Sequence, residues 1–535
     1  MINIYNPLAF LEAKNTLSLR EKVGQFFMPA AFINDSEDEI QELEHLIKIS
    51  GIGGLCFFHS RASAATNFEG KKKIVYNAEG LETLKKLIQR YQKAAKHPLL
   101  ISIDAEWGLA MRIENTPQYP YAITLGASGD TSDLLVEVGR NIARDCREAG
   151  IHWNLAPVVD INNNPNNPVI GYRSFGEDKR NVAEKATALA KGMQAEGILT
   201  SIKHFPGHGD TATDSHLGLP VIGKSKEELY ENELYPFIEL IKNGADSVMV
   251  GHLSVPALTQ GKTGSSSISK EIITGVLRKE LGFDGVVISD ALNMHSVSKL
   301  YPAKGELEWL AFDAGNDILC FAEHVKEGIE TILRNTPQRR IESSFKRVWH
   351  LKEKVFSTLS KNTRPYMDES ELNKKLAYEC LTLFQDNSPK LDTTSEVDYH
   401  AISLGKKQDN AFFNRIAEEV GFTTISDDKD CIFKIKSNFK SAENILLALF
   451  PPKVKPQNNF DFSDAQLQWI QELIDTKNVV LYLFGNPFVL NMLNLKKAKT
   501  VVVAYQSFET FQMVAAEHFL GKFEAKGKLP VTIAR

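Results

Sequence analysis

Between Val23 and Phe321 the chain alternates eight short apolar runs with longer amphipathic stretches, and this alternation restricts the fold more than any other feature. The runs are VGQFFMPA from Val23, GIGGLCFF from Gly51, PLLISIDAE from Pro98 and IHWNLAPVVD from Ile151. They continue with ILTSIKHFP from Ile198, SVMVGH from Ser247, GVVISD from Gly285 and DILCF from Asp317. Near-continuous apolar strands bounded by turns are the mark of strands covered on both faces, and stretches such as LETLKKLIQRYQKAAK from Leu81 supply covering helices. Eight such pairs over roughly 300 residues fit a (β/α)8 barrel of the TIM type better than an open sheet. The predicted barrel occupies residues 1–360.

After Lys361 the texture changes. Residues 361–396, which include KNTRPYMDESEL and the start of SPKLDTTSEVDYH, read as a linker. A second strand and helix pattern follows over residues 397–535, with VDYHAISLG, CIFKI, NILLALF, KNVVLYLFG and AKTVVVAY as strands. This predicts a smaller α/β sandwich domain. The whole chain is therefore expected in the α/β class.

Composition removes several kinds of partner. Lys plus Arg is 62 and Asp plus Glu is 67, so the net charge of −5 gives a 535-residue chain no general pull toward nucleic acid or anionic lipid. Five cysteines with no CxxC pair suggest neither a disulfide framework nor a thiolate zinc site. No apolar run approaches the ~20 residues of a membrane span, and the N-terminal residues lack a basic leader with an apolar core. The expected setting is soluble and cytoplasmic; a removed leader, for a periplasmic or secreted protein, would leave the same sequence.

Polar residues collect at the ends of the apolar runs: Asp104 and Glu106, Asp160, Lys203 and His204, His252, and Asp290. In a barrel those ends share one face, where active sites are built. The densest stretch is KHFPGHGDTATDSHLGLP, Lys203 to Pro220. One reading makes His204, His208 and Asp210 ligands of a divalent metal in a barrel hydrolase, although the HExxH pattern is missing and a Pro-Gly break separates the two histidines. The other reading is acid/base chemistry. Asp214 and His216 stand two residues apart, close enough for the carboxylate to orient the imidazole and favour its protonated form.

This run resembles the K-H-F-P-G-H-G…D-x-S/D-x-H signature of glycoside hydrolase family 3 β-N-acetylglucosaminidases of the peptidoglycan-recycling type. Further pieces occur in family order. ISIDAEWG around Asp104 is similar to a D-Q-E-G-G strand end, and NPVIGYRSFGED around Arg173 is similar to N-P-x-I-G-x-R-S-F-G-x-D. GVVISDALNMHSV from Gly285 resembles the nucleophile strand, and GKLPVTI from Gly527 resembles the close of the family's second domain. The resemblance implies a retaining exo-enzyme that removes terminal β-linked N-acetylglucosamine from small glycans or muropeptide fragments. It implies Asp290 as nucleophile, a His216/Asp214 acid/base dyad, and a sugar clamp of Asp104, Arg173, Lys203, His204 and Met294. No metal or organic cofactor, nucleic acid or membrane partner is implied. A phosphorylase or a β-glucosidase on the same nucleophile is the alternative within the family. Ala105 and Trp107 depart from the family pattern, and GKKKIVYN from Gly70 reads as an insertion.

Overall fold

In a computed structural model the described residues are 6–61, 75–129, 132–211, 218–358, 365–387, 399–405, 410–420, 423–425 and 442–534. The chain divides into two compact units. The first comprises Met1–Tyr119, Leu135–Ile161 and Val182–Tyr366; the second comprises Pro120–Leu134, Asn162–Asn181 and Met367–Arg535.

The first unit is built on parallel strands in sequence order. They are β1 (Phe27–Met28), β2 (Ala30–Phe32), β3 (Gly54–Phe58), β4 (Leu100–Ile103) and β5 (Trp153–Asn154). Then come β6 (Leu199–Phe205), β7 (Ser247–Val250), β8 (Val286–Ser289) and β9 (Leu319–Cys320). Strands β2 to β8 form one seven-stranded sheet, and β1 pairs with β9. Only Pro29 separates β1 from β2; it has no N–H, but its carbonyl accepts the Cys56 N–H at 3.0 Å and keeps the line in register. An Ile288–Ile318 bridge joins β8 to the β9 segment, whose Leu319 and Phe321 N–H groups donate to Phe26 and Met28. The ladder thus returns to its first strand, and the eight apolar runs make a TIM-like barrel.

The strand side chains are almost wholly buried, as double-sided cover requires. The covering helices carry their apolar residues at helical spacing. Gly80–Ala94 buries Leu84, Leu87, Ile88 and Tyr91, and Gln338–Thr358 buries Ile341, Phe345, Val348 and Trp349. Each such side chain contributes about 1.5–3 kcal/mol of burial. Among the described residues no helix is long and apolar enough to cross a membrane.

The second unit holds a six-stranded sheet: β10 (Thr382–Asp386), β11 (Tyr399–Leu404), β12 (Thr423–Ile425), β13 (Asn444–Leu449), β14 (Asn478–Leu483) and β15 (Thr500–Val503). Its order is β10-β15-β14-β13-β11-β12, parallel throughout except for the antiparallel edge strand β10. Alternate residues feed opposite faces. Ile445, Leu447 and Leu449 join one apolar cluster, and Leu446 and Ala448 join the other. Ile123 and Ala127 belong to the first of these clusters, which accounts for Pro120–Leu134 grouping with this unit. Within the stretch read as linker, Glu369–Cys380 is a helix capped by Asp368, and Thr382–Asp386 is the edge strand. Residues 388–398 and 70–74 of the supposed insertion lie outside the described residues.

Candidate active site

Because the barrel strands are parallel, the residues that end them share one face. Asp104 follows β4, Lys203 and His204 lie at the end of β6, His252 follows β7, and Asp290 follows β8. The Asp104–Glu106 turn is fixed from the next strand. Asn154 on β5 donates Nδ2–H to the Ala105 carbonyl and accepts the Ala105 N–H, each at 3.0 Å.

Lys203 is buried, with Nζ 2.8 Å from Asp104 Oδ1 and 2.7 Å from Glu106 Oε1. Arg112 completes the set: its Nη2 donates to Asp104 Oδ2 at 2.9 Å, and its guanidinium lies 3.6 Å from the centre of the Phe58 ring. Burial pushes the Asp104 carboxyl up, but Lys203 and Arg112 outweigh it and bring it down to about 2. Two cations thus balance two carboxylates.

Asp160, fully buried after β5, organises the glycine-rich run. It accepts the His204 N–H at 3.1 and 3.2 Å, His204 Nδ1–H at 2.7 Å and the His208 N–H at 2.7 Å. Burial raises this carboxyl, while the His204 charge and hydrogen bond lower it further than that. His204 is thereby held with a proton on Nδ1. The glycines of the run have local reasons. Gly207 has φ +122°, and a Cβ on Gly209 would stand 1.5 Å from the Ile161 carbonyl oxygen.

The same contacts correct the metal reading of His204, His208 and Asp210. His204 Nδ1 is bound to Asp160, His208 Nδ1 to Thr211 Oγ1 at 2.8 Å, and Asp210 pairs with Lys224 at 3.2 Å. The three side chains point to separate partners, and among the described residues no His/Cys/Asp/Glu group is arranged to hold a metal ion. His208 is buried, which lowers its pKa to about 4. A folded-state pKa below the unfolded value means that stability is full above about pH 6.5 and is lost as pH falls toward 4. The unfolding free energy of His208→Gln, followed by denaturant titration, should therefore fall less than that of the parent over this range, the difference reaching up to about 3 kcal/mol. Parallel decline of both proteins would contradict this.

Asp290 is half-buried. Its N–H donates to the Val250 carbonyl at 3.0 Å, and its Oδ1 accepts the Ala291 N–H at 2.8 Å. Burial raises its carboxyl, yet His252, His204, the Ala291 N–H and Lys203 together bring it below the usual range. The group is an ionised carboxylate, and Oδ2 takes no hydrogen bond among the described residues. Met294 is buried nearby in sequence and begins the short helix His295–Ser298, accepting the Val297 and Ser298 N–H groups.

Asp104, Lys203, His204, Met294 and Asp290 all belong to the barrel unit. Arg173 belongs to the second unit, in the turn Gly171–Arg173, where its Nη1 donates to the Val169 carbonyl at 3.4 Å. Asp214 and His216 lie outside the described residues. Arg112 was not singled out from sequence. The usable signal was a cation eight positions after Asp104, where two carboxylates need a second counter-charge. Glu106, Asp160 and His252 stood out at strand ends but carried no assigned role.

Residues 18–351 match the profile of the glycosyl hydrolase family 3 N terminal domain. The chain belongs to glycosyl hydrolase family 3. β-Hexosaminidase A of Pseudoalteromonas piscicida is 33% identical over 347 residues, 59% of this chain and 55% of that protein, so the chain spans about half of this relative. The β-hexosaminidase of Haemophilus influenzae is 32% identical over 288 residues, 51% of this chain and 80% of that protein. The solved family 3 β-N-acetylglucosaminidase of a Paenibacillus species superposes with a TM-score of 0.76 at 28% identity, covering 97% of this chain and 99% of that one. A β-glucoside phosphorylase shares the fold at 22% identity, with a TM-score of 0.79 over 99% of this chain and 98% of that one.

Proposed function

We propose that this family 3 protein is a retaining exo-β-N-acetylglucosaminidase acting on terminal β-linked N-acetylglucosamine of small glycans or muropeptide fragments. The observation that carries the reading is Asp290, an ionised carboxylate at a strand end with one oxygen tethered and the other without a hydrogen bond among the described residues. The names of the β-hexosaminidase relatives support the sugar class. Asp290 Oδ2 attacks the anomeric carbon, the bond to the glycosidic oxygen breaks, and protonated His216 delivers its proton to that oxygen. Neutral His216 then takes a proton from water as the hydroxyl bonds to the anomeric carbon and the Asp290 ester breaks. Asp214 orients His216 throughout. The family resemblance assigns Lys203, His204, Asp104, Arg173 and Met294 to the binding of the sugar.

A histidine acid goes from cation to neutral, whereas a carboxylic acid would become an anion, so the second step need not exclude anionic acceptors. Assay in phosphate with detection of sugar 1-phosphate separates phosphorolysis from hydrolysis. The direct test is a panel of aryl glycosides with and without the 2-acetamido group; faster turnover of the glucoside would overturn the N-acetylglucosamine assignment. For His216→Ala, kcat/KM should fall by about 10²–10³-fold on substrates with poor leaving groups and by under about 10-fold on dinitrophenyl glycosides, because only the former need protonation. Equal losses on both would remove the acid role.

A further inference from the structure

A buried line of polar groups runs from the loop after β7 to the residue beside Asp290. His252 Nε2 is 2.9 Å from the Ala291 carbonyl oxygen, and His252 Nδ1 is 2.7 Å from Ser267 Oγ. Ser267 Oγ is 2.9 Å from Ser265 Oγ, and all three side chains are buried. A carbonyl only accepts, so Nε2 carries a proton and donates it to Ala291. Nδ1 pairs with the Ser267 hydroxyl, which donates to a neutral ring and accepts from a protonated one, and Ser267 in turn pairs with Ser265, so the ring's orientation is held in either state. The far end of this line is rigid: Ser266 N–H and Oγ–H both donate to the Leu253 carbonyl at 2.7 Å, and Asn316 Nδ2–H donates to the Ser267 carbonyl at 2.8 Å. The near end is Ala291, whose own N–H holds Asp290 Oδ1 at 2.8 Å.

We infer that His252 is a positioning residue for the nucleophile: by gripping Ala291 it fixes the carboxylate of Asp290 so that Oδ2 meets the anomeric carbon. This rests on Asp290 as the nucleophile of the proposed reaction. The mechanism gives His252 no contact with substrate, and its burial keeps its two ring nitrogens for the protein. Its effect should therefore fall on the bond-forming step and leave sugar binding alone.

The test is the rate of inactivation by a 5-fluoro N-acetylglucosaminyl fluoride, which reads attack by the nucleophile without demanding leaving-group protonation. Glutamine places an amide N–H where His252 Nε2–H stands, whereas asparagine reaches only the Nδ1 position. His252→Asn and His252→Leu should slow inactivation about 30-fold, short of the ~100-fold that a 1 Å misplacement can cost. His252→Gln should recover to within about fivefold, and Ser267→Ala, which leaves the ring in place but removes the hydroxyl that holds its Nδ1, should cost about threefold. The inhibition constant for free N-acetylglucosamine should stay within about twofold of the parent in all of them. Equal rates for the Gln and Asn variants, or a loss carried by sugar binding, would overturn the inference. If His252→Leu fails to fold, the Gln–Asn pair and Ser267→Ala decide the matter. An Asp290→Gly protein that is inactivated as fast as the parent would instead sink the nucleophile assignment itself.

Discussion

Asp290→Asn should lower kcat/KM on an aryl N-acetyl-β-glucosaminide by at least about ten-thousand-fold, with folding intact, because a nucleophile removed from covalent catalysis takes its whole pathway with it. The substitution is close to isosteric. The amide oxygen can still accept the Ala291 N–H, so the turn after β8 keeps its shape. What disappears is the anionic oxygen that forms the ester, and an amide is not nucleophilic enough to replace it. Asp290→Gly should be equally inert, yet azide should restore turnover of a dinitrophenyl substrate and give the α-glycosyl azide, since the anion enters the space left by the carboxylate. Retained hydrolysis in Asp290→Asn, or a β-glycosyl azide from Asp290→Gly, would be incompatible with Asp290 forming the intermediate.

Lys203→Met should be the most damaging change in the proposed sugar clamp. Lys203 lies between Asp104 and Glu106, and with Arg112 it brings the local charge to zero. Methionine preserves much of the volume but leaves two carboxylates facing one guanidinium. Removing one partner from a buried ion pair typically costs about 3–5 kcal/mol. The expected melting temperature at neutral pH is therefore several degrees lower, and kcat/KM should fall by about a hundredfold or more as the proposed donor to substrate hydroxyls is lost. The stability loss has a definite pH signature. In the parent, Asp104 sits at about 2. In the variant one carboxylate of the pair is driven above its unfolded value, so the deficit is relieved at low pH and grows as pH rises through the new folded pKa. Thermal melts from about pH 4 to 8 should show the gap between parent and variant widening. A gap independent of pH would mean that packing, not charge, is what Lys203 contributes. Lys203→Arg should not rescue activity, because the planar fork does not fit the point-charge position between two carboxylates.

The fold was legible because barrel strands buried on both faces leave continuous apolar runs, and sequential parallel order makes their ends converge. That convergence brings Lys203 to Asp104 across 99 residues of sequence without any local motif joining them. The second domain's sheet was legible for the same reason, in runs such as NILLALF and KNVVLYLFG. Other features leave no periodic trace. Arg112 lies in an irregular loop just after the short turn Leu109–Met111, and only the surrounding charges give it a purpose. Asp160 sits at the end of a strand like several other acids; its three N–H partners come from a segment more than forty residues away. Pro120–Leu134 contains an ordinary short helix, Ala122–Gly126, and nothing in its spacing says that Ile123 packs with Leu447 and Leu481. The metal reading of His204, His208 and Asp210 failed because spacing shows which ligands are near in sequence and not which hydrogen bonds have already claimed them.

The most direct measurement is the mass of the peptides released by protease after the protein is trapped with a 5-fluoro N-acetylglucosaminyl fluoride. A single added sugar on the peptide that contains Asp290, localised to that side chain by fragmentation, is the predicted result. A sugar on another carboxylate, or complete inactivation with no covalent sugar, would contradict it.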